Sequence, residues 1–235
     1  MSFLYHTFFF DPLYNALILL FRLLPWADAG IVVILLTTLV RLLLYPLSRK
    51  AVITQLKMNE VAPELEKIKE KYKDKPEEQA KQTLALYREK KINPFSGILV
   101  ILVQLPLIFA LYRIFLHFTE IRAELLYSFV HAPEHINTLF LGILDVSGPS
   151  IILALGAALS TFFQMKISAV NQKVSNGNSF GENLSKSMQS QMKYLFPVMV
   201  FFISYRLSAV IALYWLTTNL FSVGQELFVR RKKLS

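Results

Sequence analysis

The sequence predicts an all-α membrane protein, a bundle of five transmembrane helices with a water-accessible cavity on its cytoplasmic side. Three observations carry that reading. Hydrophobic residues make up 54% of the chain and charged residues only 17%, with a mean hydropathy of +0.44, whereas soluble domains carry about 25% charged residues. The apolar runs reach the ~20 residues that a membrane span requires, and a chain of 235 residues holds five of them with short connections. Polar side chains also recur inside the runs, where lipid does not tolerate them unless they face a partner or water.

Charge and cysteine content narrow the function classes. The formal charge is +9, but the lysines and arginines sit beside the apolar runs, where the positive-inside rule places them. Basicity is therefore a topological signal before it is a nucleic-acid signal, although an anionic partner surface is compatible with it. The chain has no cysteine, which excludes disulfides, thiol catalysis, Cys-ligated metal and a lipidated Cys. Arg22 interrupts the early apolar stretch and no small-x-small cleavage site follows, so the first helices are expected to stay in the protein. The absence of a transit-like leader points to a bacterial plasma membrane.

Residues 1–28 are rich in aromatics but their apolar run is too short to span, and 12–24 is read as an interfacial amphipathic helix with its rings at headgroup level. The first span is 29–48, closed by Pro46 and the pair Arg49 and Lys50. Residues 49–93 carry twelve Lys and Arg against eight acids up to Lys91, which marks cytoplasm. Val52, Leu56, Leu65, Ile68 and Tyr72, then Ala80, Leu84 and Tyr87, recur mostly at steps of three and four around Asp74, Lys75 and Pro76. That pattern predicts two amphipathic helices in an antiparallel hairpin. The second span, 94–116, opens at Asn93 and Pro94; residues 117–148 contain three of the four histidines and few cations, hence the outer loop. Small residues fill the third span, 149–168, and allow close helix packing. Residues 169–191 read as a polar, glycine-bearing cytoplasmic loop. The runs 192–206 and 207–228, separated only by Arg206, form a tight hairpin, and 229–235 is a basic cytoplasmic tail. The N-terminus is then outside and the C-terminus inside.

Arg41 stands eight residues before Arg49, about 12 Å deeper at 1.5 Å per residue. Arginine stays charged in proteins, and that reach is long for simple snorkelling to the headgroups. Thr37 at i−4 lies on the same helix face. Gln104, ten residues beyond Pro94, falls at similar depth, and Tyr214, Trp215, Thr217, Thr218 and Asn219 lie inside the last span. Together they suggest a water-accessible cavity on the cytoplasmic side. His131, Glu134 and His135 spell the H-x-x-E-H pattern of inverted zinc peptidases, but Pro133 inside that turn breaks the helical geometry two ligands need. No phosphate loop, nucleophile elbow or intramembrane aspartate pair accompanies it. An enzyme is not expected, nor is a cofactor. A small transporter or lipid scramblase, or a structural assembly subunit, is the competing class; the inverted repeat common in transporters is missing.

The order and spacing of Thr37, Arg41, Tyr45-Pro46-Leu47, Ala85-Leu86-Tyr87, Asn93-Pro94, Gln104, Pro106, Phe109-Ala110, Tyr112, Phe196-Pro197, Leu213-Tyr214-Trp215 and Asn219-Leu220 resembles the core of YidC-type membrane protein insertases, through essentially the whole chain. The resemblance implies five spans around a groove open to the cytoplasm and sideways to lipid, with Arg41 as the groove cation and Thr37, Gln104 and Trp215 lining it. It implies a mobile cytoplasmic hairpin at 52–91 and a surface on the last two spans along which client helices slide. Implied partners are newly made membrane proteins with short acidic tails, membrane lipids, and the ribosome, signal recognition machinery or Sec translocon, without nucleic-acid specificity. The form expected is the short bacterial one, without a large extracytoplasmic domain or an extra leading span. The tail after Phe228 is short, and Tyr205, Arg206, Leu207 and Ser208 replace the usual Pro- and Gly-containing turn.

Overall fold

The computed structural model describes residues 2–118, 120–169 and 180–234, and it is mostly helical. It opens with α1 (Ser2–Tyr5), a π-helical turn (His6–Phe10) and α2 (Asp11–Leu23). The wider π register lies directly ahead of Pro12, whose ring clashes with the carbonyl four residues back and whose nitrogen has no proton to donate. Tyr14, Leu17, Ile18 and Phe21 recur at helical steps and are buried. Much of the aromatic and apolar face that sequence places at the headgroups therefore packs into the protein, while Phe3, Phe8 and Trp26 stay exposed.

Asp28 caps α3 (Ala29–Leu43), accepting from the Ile31 amide at 2.9 Å. The helix does not continue straight to residue 48. It turns by 62° at Leu44 into α4 (Tyr45–Glu60), because Pro46 in the first turn of α4 cannot continue the hydrogen-bond ladder. α4 runs on into the charged segment, so three helices stand there: α4, α5 (Ala62–Lys71) and α6 (Pro76–Glu89). Val61, Leu86 and Ile92 form a small core with Met58, Leu65, Ile68 and Tyr87, and the Lys90 ammonium pairs with Glu64 at 3.2 Å.

Then come α7 (Ser96–Leu116), a two-stranded hairpin of β1 (Leu139–Phe140) and β2 (Leu144–Asp145), α8 (Ile151–Ala169), α9 (Phe180–Arg206) and α10 (Ala209–Leu234). Of the polar segment expected as a loop at 169–191, residues 170–179 lie outside the described residues. From Phe180 onward the chain is already helical, in keeping with the Leu, Glu, Lys, Met and Gln that fill its first turns. Only Leu207 and Ser208 separate α9 from α10.

By length and composition, among the described residues, Ser96–Leu116 and Ile151–Ser168 can each cross a membrane, and the bent pair α3–α4 adds a third if it acts as one span. The main core is built from α2, α3, α7 and the start of α10, with Val130 and Val146 from the segment between α7 and α8.

Candidate functional site

A cavity of about 420 Å³ lies among α3, α7, α8, α9 and α10, lined by Arg41, Gln104, Thr161, Gln164, Phe196, Tyr214, Trp215, Thr218, Asn219 and Ser222, with Val100, Leu105 and Ile108 along its apolar side. Five of the six residues singled out from sequence, Arg41, Gln104, Tyr214, Trp215 and Asn219, thus meet at one place. Thr37 is not among the lining residues. It is 1% exposed and its hydroxyl donates to the Val33 carbonyl of its own helix at 2.6 Å, the back-bonding a short hydroxyl side chain favours in a helix interior.

Arg41 reaches the cavity from the last turn of α3. The bend changes its depth. Three residues at 1.5 Å lead to Leu44, and five more along a helix inclined by 62° advance less than half their length, so Arg41 is about 8 Å from Arg49 along the α3 axis instead of about 12 Å. The reach argument against snorkelling therefore weakens, and the cavity position becomes the stronger observation. Among the described residues no carboxylate forms an ion pair with Arg41.

α10 supplies the far wall. Trp215 meets Phe196 edge-on at 6.4 Å, and Tyr214 packs on Phe115 at 5.8 Å. Asn219 is buried and its amide donates to Ser160 Oγ at 3.0 Å and Thr161 Oγ1 at 2.7 Å, joining α10 to α8. Both hydroxyls in turn donate to the Ala157 carbonyl. Below this layer the Gln225 amide donates to Ser48 Oγ at 2.7 Å, tying α10 to α4. The next residue, Glu226, accepts from Ser168 Oγ at 2.7 Å and pairs with Arg230, which also reaches the Ile167 carbonyl.

Sequence reasoning missed Thr161, Gln164, Gln225 and Glu226. The first two stand three residues apart in a helix whose small residues read as packing. Gln225 and Glu226 stand at the end of an apolar run beside the basic tail, where polar residues read as interface. The H-x-x-E-H segment is not helical in the structure, so its histidines do not share a helical turn, and His131 Nδ1 instead receives the Arg22 guanidinium.

The family model of the 60Kd inner membrane protein matches residues 21–235. The chain is 30% identical over 207 residues to a membrane protein insertase YidC of Clostridium tetani, covering 88% of this chain and 84% of that protein. It is 34% identical over 203 residues to a membrane protein insertase YidC of Fusobacterium nucleatum, covering 86% of each. Against a YidC of Francisella tularensis subsp. novicida the identity is 30% over 202 residues, 86% of this chain but 32% of that protein.

Proposed function

Because the chain belongs to the 60Kd inner membrane protein family, we propose that it is an inner-membrane insertase and chaperone in which the cavity around Arg41 receives the polar segment of a client protein. The relatives named as membrane protein insertases support the insertase role, which requires no bond-breaking chemistry. In this reading five spans cross the membrane, with the N-terminus outside and the C-terminus in the cytoplasm, and clients leave sideways into lipid.

The observation that carries the proposal is an arginine at the end of an apolar helix that lines an open cavity and, among the described residues, forms no ion pair with a carboxylate. A guanidinium costs roughly 2.5–3.5 kcal/mol at the centre of a membrane helix on insertion scales and less toward its end, where the side chain can snorkel. For Arg41, in the last turn of α3, part of that cost remains and calls for a use. A cavity that admits water part-way into the bilayer shortens the apolar distance a polar tail must cross. Within it Arg41 attracts acidic residues more strongly than it would in bulk water. Gln104 and Tyr214 offer hydrogen bonds to a passing backbone, Asn219 behind them holds α10 to α8, and Trp215 offers an apolar wall. The membrane potential adds about 2.3 kcal/mol per charge per 100 mV for an acidic segment moving outward. Binding stays weak, so the client departs.

The test is insertion of a short single-span protein with an acidic N-terminal tail into liposomes containing only this chain. Arg41→Ala and Arg41→Glu are expected to lower insertion progressively, and a neutral tail to be less sensitive to both. Equal insertion by wild type, Arg41→Ala and Arg41→Glu sinks the electrostatic step. Solute or lipid flux from empty liposomes without any insertion overturns the insertase reading in favour of a transporter or scramblase.

A further inference from the structure

A second cavity, about 170 Å³, lies at the other end of α7, where Arg113, His117, Glu120 and Arg122 converge on Phe10 and Tyr14 of the N-terminal segment. It shares no residue with the groove. The Arg113 guanidinium stands over the Phe10 ring, 5.5 Å from its centroid, with the Tyr5 hydroxyl beside it; the ring contact uses a face of the guanidinium and not its five N–H donors. Arg122 is positioned through its backbone, whose amide donates to the Tyr14 hydroxyl at 2.7 Å. Among the described residues no carboxylate forms an ion pair with either guanidinium; Glu120 instead lies 3.4 Å from His117.

Two arginines at this end of the bundle run against the positive-inside pattern, so topology does not explain them. Their position does suggest an occupant. α7 is long and apolar enough to cross a membrane, and Arg113 is in its last turn, which puts the cavity at the depth of lipid phosphates. Leu116 at the end of α7 is exposed, as are Phe3 and Phe8 of the N-terminal segment. The volume falls below the ~300 Å³ at which pockets for drug-sized ligands begin, so the cavity suits a headgroup and not a whole small molecule. The charges also match in sequence: a pair of guanidiniums suited to one phosphate, and a carboxylate at the rim.

We propose that this cavity binds the headgroup of an ethanolamine phospholipid, with the phosphate on Arg113 and Arg122 and the ammonium on Glu120. The acyl chains run down past Leu116, and the bound lipid ties the N-terminal segment to the end of α7.

Native mass spectrometry of the full-length chain released from detergent tests this, with titration of dioleoyl phosphatidylethanolamine, dioleoyl phosphatidylglycerol, dioleoylglycerol and inorganic phosphate. Both phospholipids are expected to bind about tenfold tighter than dioleoylglycerol, as charge-assisted bonds to a phosphate warrant, with ethanolamine the tighter of the two. Arg113→Gln and Arg122→Gln should each reduce that margin. Glu120→Gln should abolish the ethanolamine preference and leave phosphatidylglycerol binding in place. If Arg113→Gln unfolds because Phe10 loses its partner, Arg122→Gln, which keeps the amide bond to Tyr14, carries the test. Dioleoylglycerol binding as tightly as the phospholipids, or an unchanged margin in Arg122→Gln, overturns the site. Tighter phosphatidylglycerol binding overturns the role of Glu120, and inorganic phosphate binding as tightly as lipid assigns the cavity to free phosphate and overturns the lipid.

Discussion

Replacing Gly30 by alanine should loosen the loop between α7 and α8, because the first turn of α3 and the β1–β2 hairpin meet with no room for a methyl group. A Cβ built at Gly30 would stand 2.1 Å from Cδ2 of Phe140, 2.6 Å from Cγ and 2.8 Å from Cε2. Carbon atoms pack at about 3.5–4.0 Å, so the ring would have to recede by about 1.5 Å. It is not free to do so. The neighbouring Leu141 amide donates to Asp28 Oδ2 at 2.9 Å, and the Ala29 amide donates to the Asn137 carbonyl at 2.7 Å, both across the same junction. Overpacking of this kind costs about 1–3 kcal/mol, and 1–2 kcal/mol already corresponds to a roughly 5–30-fold larger population of the opened loop. Trypsin cleavage after Arg122, within that loop, reads this population when opening is fast relative to cleavage. The rate at that bond in detergent-solubilised Gly30→Ala should rise by a similar factor. Adding Phe140→Ala should recover part of the effect, with a coupling of about 0.5–3 kcal/mol between the two sites. Cleavage of Gly30→Ala at the wild-type rate, or additive effects in the double variant, would refute the argument.

Asp28→Ala removes acceptors from both the Ile31 and Leu141 amides and should lower the thermal midpoint more than an ordinary cap loss of about 1 kcal/mol; Asp28→Asn, retaining one acceptor, should fall between. Asn219→Ala should destabilise by only about 1 kcal/mol, since interhelical hydrogen bonds in membranes average ~0.6 kcal/mol and Ser160 and Thr161 keep their bonds to Ala157; reversible unfolding in mixed micelles measures it. Glu226→Gln and Arg230→Gln should each destabilise by about 1–2 kcal/mol, below the 3–5 kcal/mol of a deeply buried broken pair, because Arg230 can extend toward water. A double-mutant cycle on that pair giving no coupling would show the ion pair to be idle.

The parts of the fold that follow from hydrophobic periodicity were legible, and those that follow from a single local clash were not. Long apolar runs locate α7, α8 and the α9–α10 turn because burial in lipid leaves few alternatives. The bend at Leu44 depends on one proline in an otherwise uninterrupted run, and a proline reads equally well as the end of a span. The contact of Phe140 on Gly30 joins residues far apart in sequence, and nothing local announces it. The site divides in a similar way. Arg41, Gln104 and Asn219 stood out because their apolar surroundings make a polar side chain conspicuous. Thr161 did not, since hydroxyls are ordinary in a small-residue helix. Thr37 was misplaced because the same-face rule gives a direction and not a partner, and its own helix carbonyl at i−4 is nearer than the cavity.

The two ends of the bundle are fastened by different kinds of bond, and this bears on which end can open. At the end carrying residues 120–148, backbone groups hold the junctions. The Ala209 amide donates to the Gly148 carbonyl at 2.7 Å, the Val210 amide to the Val146 carbonyl at 3.3 Å, and the Ala29 and Leu141 amides to Asn137 and Asp28. Opening there would strip several buried backbone donors at once, each costing about 1–3 kcal/mol when left unpaired. At the end carrying α4 the ties between helices are side-chain bonds, Gln225 to Ser48, Glu226 to Ser168 and Asn219 to Ser160 and Thr161. Each such bond is worth well under 2 kcal/mol in a membrane, because the separated groups find other partners. These bonds can be given up one at a time, the α10–α4 tie at Gln225 independently of the α10–α8 ties at Asn219 and Glu226. The asymmetry favours widening of the cavity from the α4 end while the opposite end stays shut, as the proposed passage of a short polar tail would require.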